Sequence, residues 1–210
     1  MFPKAFELIT ILMNLFSKTK PIIISERLIL RLPVIADYEN WVVLRKKSED
    51  FLNQWEPEKD VNYYSKNFFK KRVKWAKKNF DLNIVLHFFI FLRSNYQLVG
   101  GITLDNIRYG PFQSATLGYW LGEEFSKKGI MTESLNSVMI YASNNVGISR
   151  IEAATLPNNI ASRRLLEKCN FKYEGVGQYY LQIRGKWQHH ILYAITFDSR
   201  KSKSKKQLGF

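Results

Sequence analysis

Apolar positions recur along this chain at two periods, and the places where the period changes divide it into elements. ERLILRLP, residues 26–33, alternates enough to predict a strand. Residues 36–47 then read as a helix with Trp41, Val43 and Leu44 turned inward, and Trp55-Glu56-Pro57 falls in the turn region after it. Residues 65–80 carry Phe69, Val73, Ala76 and Phe80 on one helical stripe, with Lys66, Lys70, Lys74 and Lys77 on another face. The pattern then changes to short β-rich runs at 87–93 and 98–104, joined by Ser-Asn-Tyr as a hairpin, with a third at 115–121. A helix over 132–144 follows, with Met131, Leu135, Val138 and Ala142 on one stripe. Residues 150–156 read as a strand stopped by Pro157. Asn158 or Asn159 caps a helix reaching about Lys168, and two long β-rich runs, 171–183 and 187–197, flank Arg184-Gly185. No internal repeat is visible. The sum is an α/β (α+β) domain whose sheet is mostly antiparallel, with one strand–loop–helix–strand–helix section at 115–168.

That section holds the strongest candidate chemistry. ATLGYWLGEEFSKKGIMTESL, residues 115–135, is a strand, a basic loop with one glycine, and the start of a helix. Backbone N–H groups from Lys128 to Thr132 would be the unpaired donors of the first helical turn, and the helix dipole adds to them. Such a loop can hold a phosphate, and Gly129 permits close approach and positive φ. An ordinary connection whose lysines face water is the competing reading.

Composition narrows the class. A chain of 210 residues, 46% hydrophobic and 15% aromatic, is long enough for one domain with a large core plus terminal extensions. We expect an N-terminal extension over 1–20, the domain over 21–198, and a basic, disordered tail over 199–210. The apolar run at 5–16 is too short for a membrane span and is interrupted by Glu7 and Asn14; no cleavage site for a signal peptide follows it. One cysteine, Cys169, excludes an internal disulfide, fits a reducing cytoplasm, and reads as a buried structural thiol. The three histidines make no metal set. The net charge of +14, from 32 basic and 18 acidic residues, suggests a polyanionic partner such as RNA, a ribosome or an anionic surface. Mutational bias towards Lys, Asn and Ile is the alternative explanation.

The chain also carries motifs spread over about 25–197. They are SERLILRLP, the Trp55-Glu56-Pro57 turn, GGITLDNI (100–107), SATLGYWLG (114–122), KKGIMTES (127–134), RIEAATLPNNIASRRLLEKCNF (150–171) and YYLQIRGKWQHHILYA (179–194). Together they resemble the GNAT superfamily of N-acetyltransferases, and within it the ribosomal-protein-alanine N-acetyltransferases of the RimJ/RimL type. The resemblance implies the GNAT fold and acetyl-CoA as acyl donor. Tyr119, Trp120 and Leu121 would pair their backbone with the pantetheine arm. Lys127, Lys128, Gly129, Ile130, Met131 and Thr132 would take the pyrophosphate. Asn159 and Ser162 would line the thioester end, and Arg163 or Arg164 could reach the remaining phosphate. It also implies a ribosomal protein N-terminus as acceptor.

Transfer to an amine needs a neutral nucleophile, a polarised carbonyl and an accepted thiolate. A protein α-amine is already about a tenth neutral at pH 7, against well under ~0.1% for a lysine side chain, so a modest carboxylate base suffices. Glu152 is the first candidate base, and an ion pair with a basic neighbour is its alternative role. Glu56, beside Trp55, suits gripping the incoming ammonium. Ser162 could protonate the departing thiolate, or simply satisfy a donor in its helix's first turn. The chain departs from the superfamily pattern at several places: Leu166 stands where Tyr is frequent, Met131 where Gly or Ala is, and Asn170 where Gly is. His189 and Gln54 replace residues usual in the subgroup, on the acceptor side. Two other acceptor classes therefore stay open, a small-molecule amine such as a polyamine or antibiotic, and a lysine. A non-catalytic ribosome- or RNA-binding module on the same fold is the rival of another kind.

Overall fold

The computed structural model describes residues 23–197. The expected extension over 1–20, the domain start at 21 and the tail over 199–210 lie outside the described residues. Among the described residues, eight strands and five α-helices follow in order. They are β1 (Ile23–Ile24), β2 (Leu28–Arg31), α1 (Tyr38–Lys47), α2 (Glu49–Asn53), α3 (Lys66–Asp81), β3 (Leu86–Leu92) and β4 (Leu98–Arg108). Then come β5 (Ser114–Leu121), α4 (Ile130–Tyr141), β6 (Arg150–Thr155), α5 (Ile160–Lys168), β7 (Lys172–Ile183) and β8 (Lys186–Thr196). They build one mixed sheet in the order β1-β2-β3-β4-β5-β6-β8-β7, in which β5–β6 is the parallel pair and the others are antiparallel.

Helices cover both faces. On one face α1 and α3 bring Trp41 and Phe69 together with ring centroids 5.0 Å apart, and Phe69 reaches Phe89 of β3 at 6.2 Å. On the other, Tyr141 at the end of α4 meets Phe88 of β3 edge-on. Burial on both sides explains why β3 (LHFFIFL) reads as a continuous apolar run instead of alternating. The α3 stripe packs as its periodicity predicts, with Phe69 and Ala76 fully buried, and the helix starts where Ser65 accepts a hydrogen bond from the Phe68 N–H (3.1 Å).

Three local expectations are corrected. Val43 points to solvent at 64% exposure, because α1 buries Trp41, Leu44 and Arg45 instead. The helix expected over 132–144 runs from Ile130 to Tyr141, and Ala142–Val146 widen into a π turn that Gly147 ends at φ +75°. The strand expected to stop at 104 continues to Arg108 after an irregularity in its pairing with β5.

The feature that positions the site is a fork. β5 and β6 pair only from Ser114↔Arg150 to Leu117↔Ala153. Beyond that point Gly118–Leu121 keep β4 as sole partner, while Ala154 and Thr155 keep β8. The two strands splay, and the β6-side backbone groups of Gly118–Leu121 are left without a strand partner.

Candidate active site

Three parts converge on the fork. The first is the loop into α4. Gly129 sits at φ +76°, ψ 0°, in the left-handed region, and Lys127 before it at φ +60°. The first backbone N–H of the helix to find an acceptor is that of Glu133, on the Gly129 carbonyl (3.0 Å). The donors of Ile130, Met131 and Thr132 thus stand at the positive end of the helix without an intrahelical partner. Lys127, Lys128 and Gly129 are exposed, Ile130 and Met131 are buried, and Thr132 is half-buried.

A brace from β2's approach fixes this loop. The Arg27 guanidinium donates to Glu133 (Nε–Oε2, 2.7 Å) and to the Lys128 carbonyl (3.1 Å), while the Arg27 N–H and Ser25 hydroxyl both donate to Glu133 Oε1. Burial pushes the Glu133 carboxyl up, but the Arg27 N–H, the Ser25 hydroxyl and the Arg27 charge more than offset it and hold it below its ordinary value.

The second part bridges the fork. Asn159 caps α5 by accepting from the Ser162 N–H (3.0 Å), which fixes that first turn. Ser162 Oγ lies 2.7 Å from the Tyr119 hydroxyl on β5, in hydrogen-bond contact across the splayed strands. Burial pushes the Tyr119 phenol up to about 12, against the lowering effect of Ser162, so it keeps its proton throughout the physiological range.

The third part lies on the α1/α3 side. Trp120 points to the face opposite Tyr119 and lies across Gly101 of β4, where a Cβ would come within 2.6 Å of the indole Nε1. Over its ring, 4.7 Å away, sits the guanidinium of Arg45, buried on α1. Arg45 forms a two-pronged pair with Glu56 (Nη1–Oε1, 2.8 Å), and Lys59 lies 3.8 Å from the same carboxylate. Half-buried Trp55 precedes it, and the β7–β8 turn closes on this segment through the Arg184 N–H and Glu56 carbonyl (3.2 Å).

Glu152 lies apart from these. It pairs with Thr116, before the strands separate. Its carboxylate is clamped by Arg150 (Nε–Oε1, 2.9 Å) and Arg108 (Nη2–Oε2, 3.2 Å), and Arg150 also forks onto Glu174 of β7. Arg163 turns to the Pro157 carbonyl (3.2 Å) and the Tyr193 hydroxyl (3.4 Å), not to the α4 loop. Among the described residues, no three His, Cys, Asp and Glu side chains gather as a metal would need. His87 is buried against Thr103, and His189 accepts the Tyr179 N–H (3.2 Å). No helix among the described residues is long and apolar enough to cross a membrane.

The sequence profile of the acetyltransferase (GNAT) domain matches residues 27–172, most of the chain, including the α4 loop, the Tyr119–Ser162 pair and the Arg45–Glu56 pair. The chain belongs to the GNAT acetyltransferases. Relatives within that family agree. The Bacillus subtilis protein named "Probable N-acetyltransferase YjcK" is 34% identical over 161 residues, spanning 77% of this chain and 89% of its own length. The Escherichia coli [ribosomal protein uS5]-alanine N-acetyltransferase is 29% identical over 174 residues, spanning 82% and 89%. Among solved structures, Mycobacterium smegmatis RimJ in complex with CoA-disulfide superposes with a TM-score of 0.78 at 26% identity, covering 86% of this chain and 88% of that one.

Within this GNAT domain several site residues escape a reading of the sequence. Tyr119 is legible there only for its backbone; that its hydroxyl meets Ser162 depends on the fork. Arg45 reads as an ordinary basic residue near a helix end. Its one sequence cue is its place one position after Leu44, on the buried side of α1. The Arg27–Glu133 brace joins residues 106 apart and has no local signal.

Proposed function

We propose that this N-acetyltransferase takes its acetyl group from acetyl-CoA and transfers it directly to the N-terminal α-amine of a ribosomal protein. The observation that carries the donor is the open backbone edge of Gly118–Leu121 leading into the unbonded N-terminus of α4. An extended amide-containing arm could add to that edge as a strand would. A pyrophosphate suits the donors of Ile130–Thr132, with Lys127 and Lys128 beside them. Exposed Gly129 keeps the approach clear, since even a Cβ at this position would have the Arg27 guanidinium, 3.4 Å away, as its nearest neighbour. The donor would supply an activated thioester. The chain's residues do the rest. Asn159 holds the α5 turn, and Ser162, its hydroxyl pinned by Tyr119, gives a proton to the departing thiolate as the C–S bond breaks and the C–N bond forms. The acceptor amine gives up a proton to water in the same exchange, and a proton returned through water restores the Ser162 hydroxyl. Direct transfer of this kind calls for no metal.

On the acceptor side we assign Trp55, Glu56 and Trp120 to receive the chain terminus, with Glu56 orienting the ammonium. Glu152 is the carboxylate the resemblance points to as base. Both of its oxygens accept from guanidiniums, Arg150 and Arg108, and water offers a second route for an amine that is partly neutral already. The ribosomal acceptor rests on the relatives named above and on the basic charge of the chain. It places the enzyme in the cytoplasm.

The test is acetyl transfer from acetyl-CoA to synthetic N-terminal peptides of ribosomal proteins, beside a polyamine, an aminoglycoside and an internal-lysine peptide. We expect N-terminal peptides to be preferred, with kcat/KM rising with pH through the amine's pKa of about 8. Glu152→Gln should keep that profile within about threefold. A loss beyond about a hundredfold with unchanged Tm would instead make Glu152 the base. Preference for the polyamine or aminoglycoside would refute the ribosomal acceptor.

A further inference from the structure

We propose that the outer face of α3 is an RNA-docking surface. Seven of the sixteen residues of α3 are basic and one is acidic. Lys66, Lys70, Lys71, Lys74, Lys77 and Lys78 are all exposed. At 3.6 residues per turn they spread over an arc of about 140° beside the buried Phe69/Ala76 stripe, and Lys66 to Lys78 span about 18 Å along the axis.

This arrangement runs against the helix's own interest. Lys66 opens the helix at the positive end of its dipole, where a cation is disfavoured. The steps Lys66–Lys70–Lys74–Lys78 repeatedly set like charges four residues apart, where they repel. Of these six lysines, only Lys77 has a carboxylate partner among the described residues, Asp81 at 2.8 Å. The core gains nothing from these lysines, since α3 anchors itself through Phe69 and Ala76. Among the described residues only the Lys77–Asp81 pair and the Lys66 ammonium over the Tyr38 ring, 5.7 Å away, offset these broken rules; for Lys70, Lys71, Lys74 and Lys78 a row of phosphates would supply the missing counter-charge.

Two further observations direct the reading. Trp75, 44% exposed, stands at the border of the lysine arc and offers a flat ring to an unstacked base. The face also lies on the α1/α3 side of the sheet, the side of Arg45, Glu56 and Trp120. A polyanion held on α3 would therefore sit on the same side as the incoming acceptor. That the polyanion is RNA rests on the ribosomal acceptor proposed above; the unneutralised face does not.

The test uses the full chain and a labelled RNA hairpin of ribosomal sequence, titrated over a series of salt concentrations. The variant is Lys70→Gln/Lys74→Gln/Lys78→Gln, compared with Lys201→Gln/Lys203→Gln/Lys205→Gln in the tail. We expect the α3 variant to bind at least tenfold more weakly at 0.1 M salt. Its slope of log K against log salt should fall by about 2, near the 0.7–0.9 per phosphate contact known for nucleic acids. Its Tm should be unchanged or higher, because repulsion is removed, and its acetylation of a free peptide should stay within twofold of the parent. An α3 variant with parental affinity and slope would overturn the proposal. So would a slope lost entirely in the tail variant, or binding to phosphatidylserine vesicles but not to RNA. Failure of the parent to acetylate N-terminal peptides would sink the acceptor reading while leaving the RNA result to stand on its own.

Discussion

At the scale of single residues, the proposed chemistry rests on one hydroxyl pair. Ser162 is legible from the sequence because it follows Asn159 at capping distance, and the structure adds the partner that aims it, Tyr119. The superfamily's frequent tyrosine on this helix is absent here: Leu166 is buried in the core at 1% exposure. A phenol reaches the same helix from β5 instead, which no local pattern announces. If Tyr119 positions Ser162, Ser162→Ala should lower kcat about a hundredfold, within the usual range for a lost proton donor. Tyr119→Phe should lower it about tenfold with KM for the donor little changed, and the double variant should be no worse than Ser162→Ala. Steady-state kinetics on the three variants checks this; additive losses would mean that the two hydroxyls act separately. Asn170 shows the opposite case, where the sequence is sufficient. It stands where glycine is usual and takes φ +65°, a conformation asparagine tolerates better than other side chains.

At the scale of elements, the α4 loop joins a conformational requirement to an electrostatic brace. Its glycine and its basic residues are visible in the sequence, and so is the helix they open. The brace is not, because Arg27 and Glu133 lie far apart along the chain. Gly129→Ala must hold φ +76°, at a cost of about 1–2 kcal/mol. We expect a Tm lower by several degrees and a weaker affinity for coenzyme A, measured by thermal shift with and without cofactor. Glu133 adds a pH dependence. Its folded-state pKa is depressed, so the stability it contributes is present above the unfolded value of about 4.3 and is lost as pH falls through the folded one. Affinity for coenzyme A should therefore hold down to the ordinary carboxylate value of about 4.3 and weaken only as pH falls below it, through the folded value, and Glu133→Gln should reproduce that weakening at pH 7. Glu133→Gln binding as tightly as the parent at pH 7 would show that the loop stands without its brace.

At the scale of the whole molecule, most strand and helix positions are readable in the sequence, and so is a mostly antiparallel sheet; where two of its strands part is not. Periodicity finds β5 and β6 but not that they pair for four residues and then part, since that depends on β8 taking the far side of β6. The outermost strand, β7, is likewise readable as a β-rich run but not as an edge. It is twelve residues long and leaves Tyr173, Val176, Tyr179 and Leu181 between 47% and 65% exposed. Its ladder to β8 is broken twice: at Gly175, where φ is +142°, and across residues 178–180, where three residues oppose one and Tyr179 takes φ +48°. A straight apolar edge of that length would invite a strand from another copy, and bulges are a standard defence. Removing Gln178 and Tyr179 would leave one residue opposite His189 and a regular edge from Gly177 onward. That variant should self-associate as its concentration rises, seen by light scattering behind size exclusion, while the parent keeps its own state. If both behave alike, the break in β7 serves the shape of the hairpin, not the solubility of the protein.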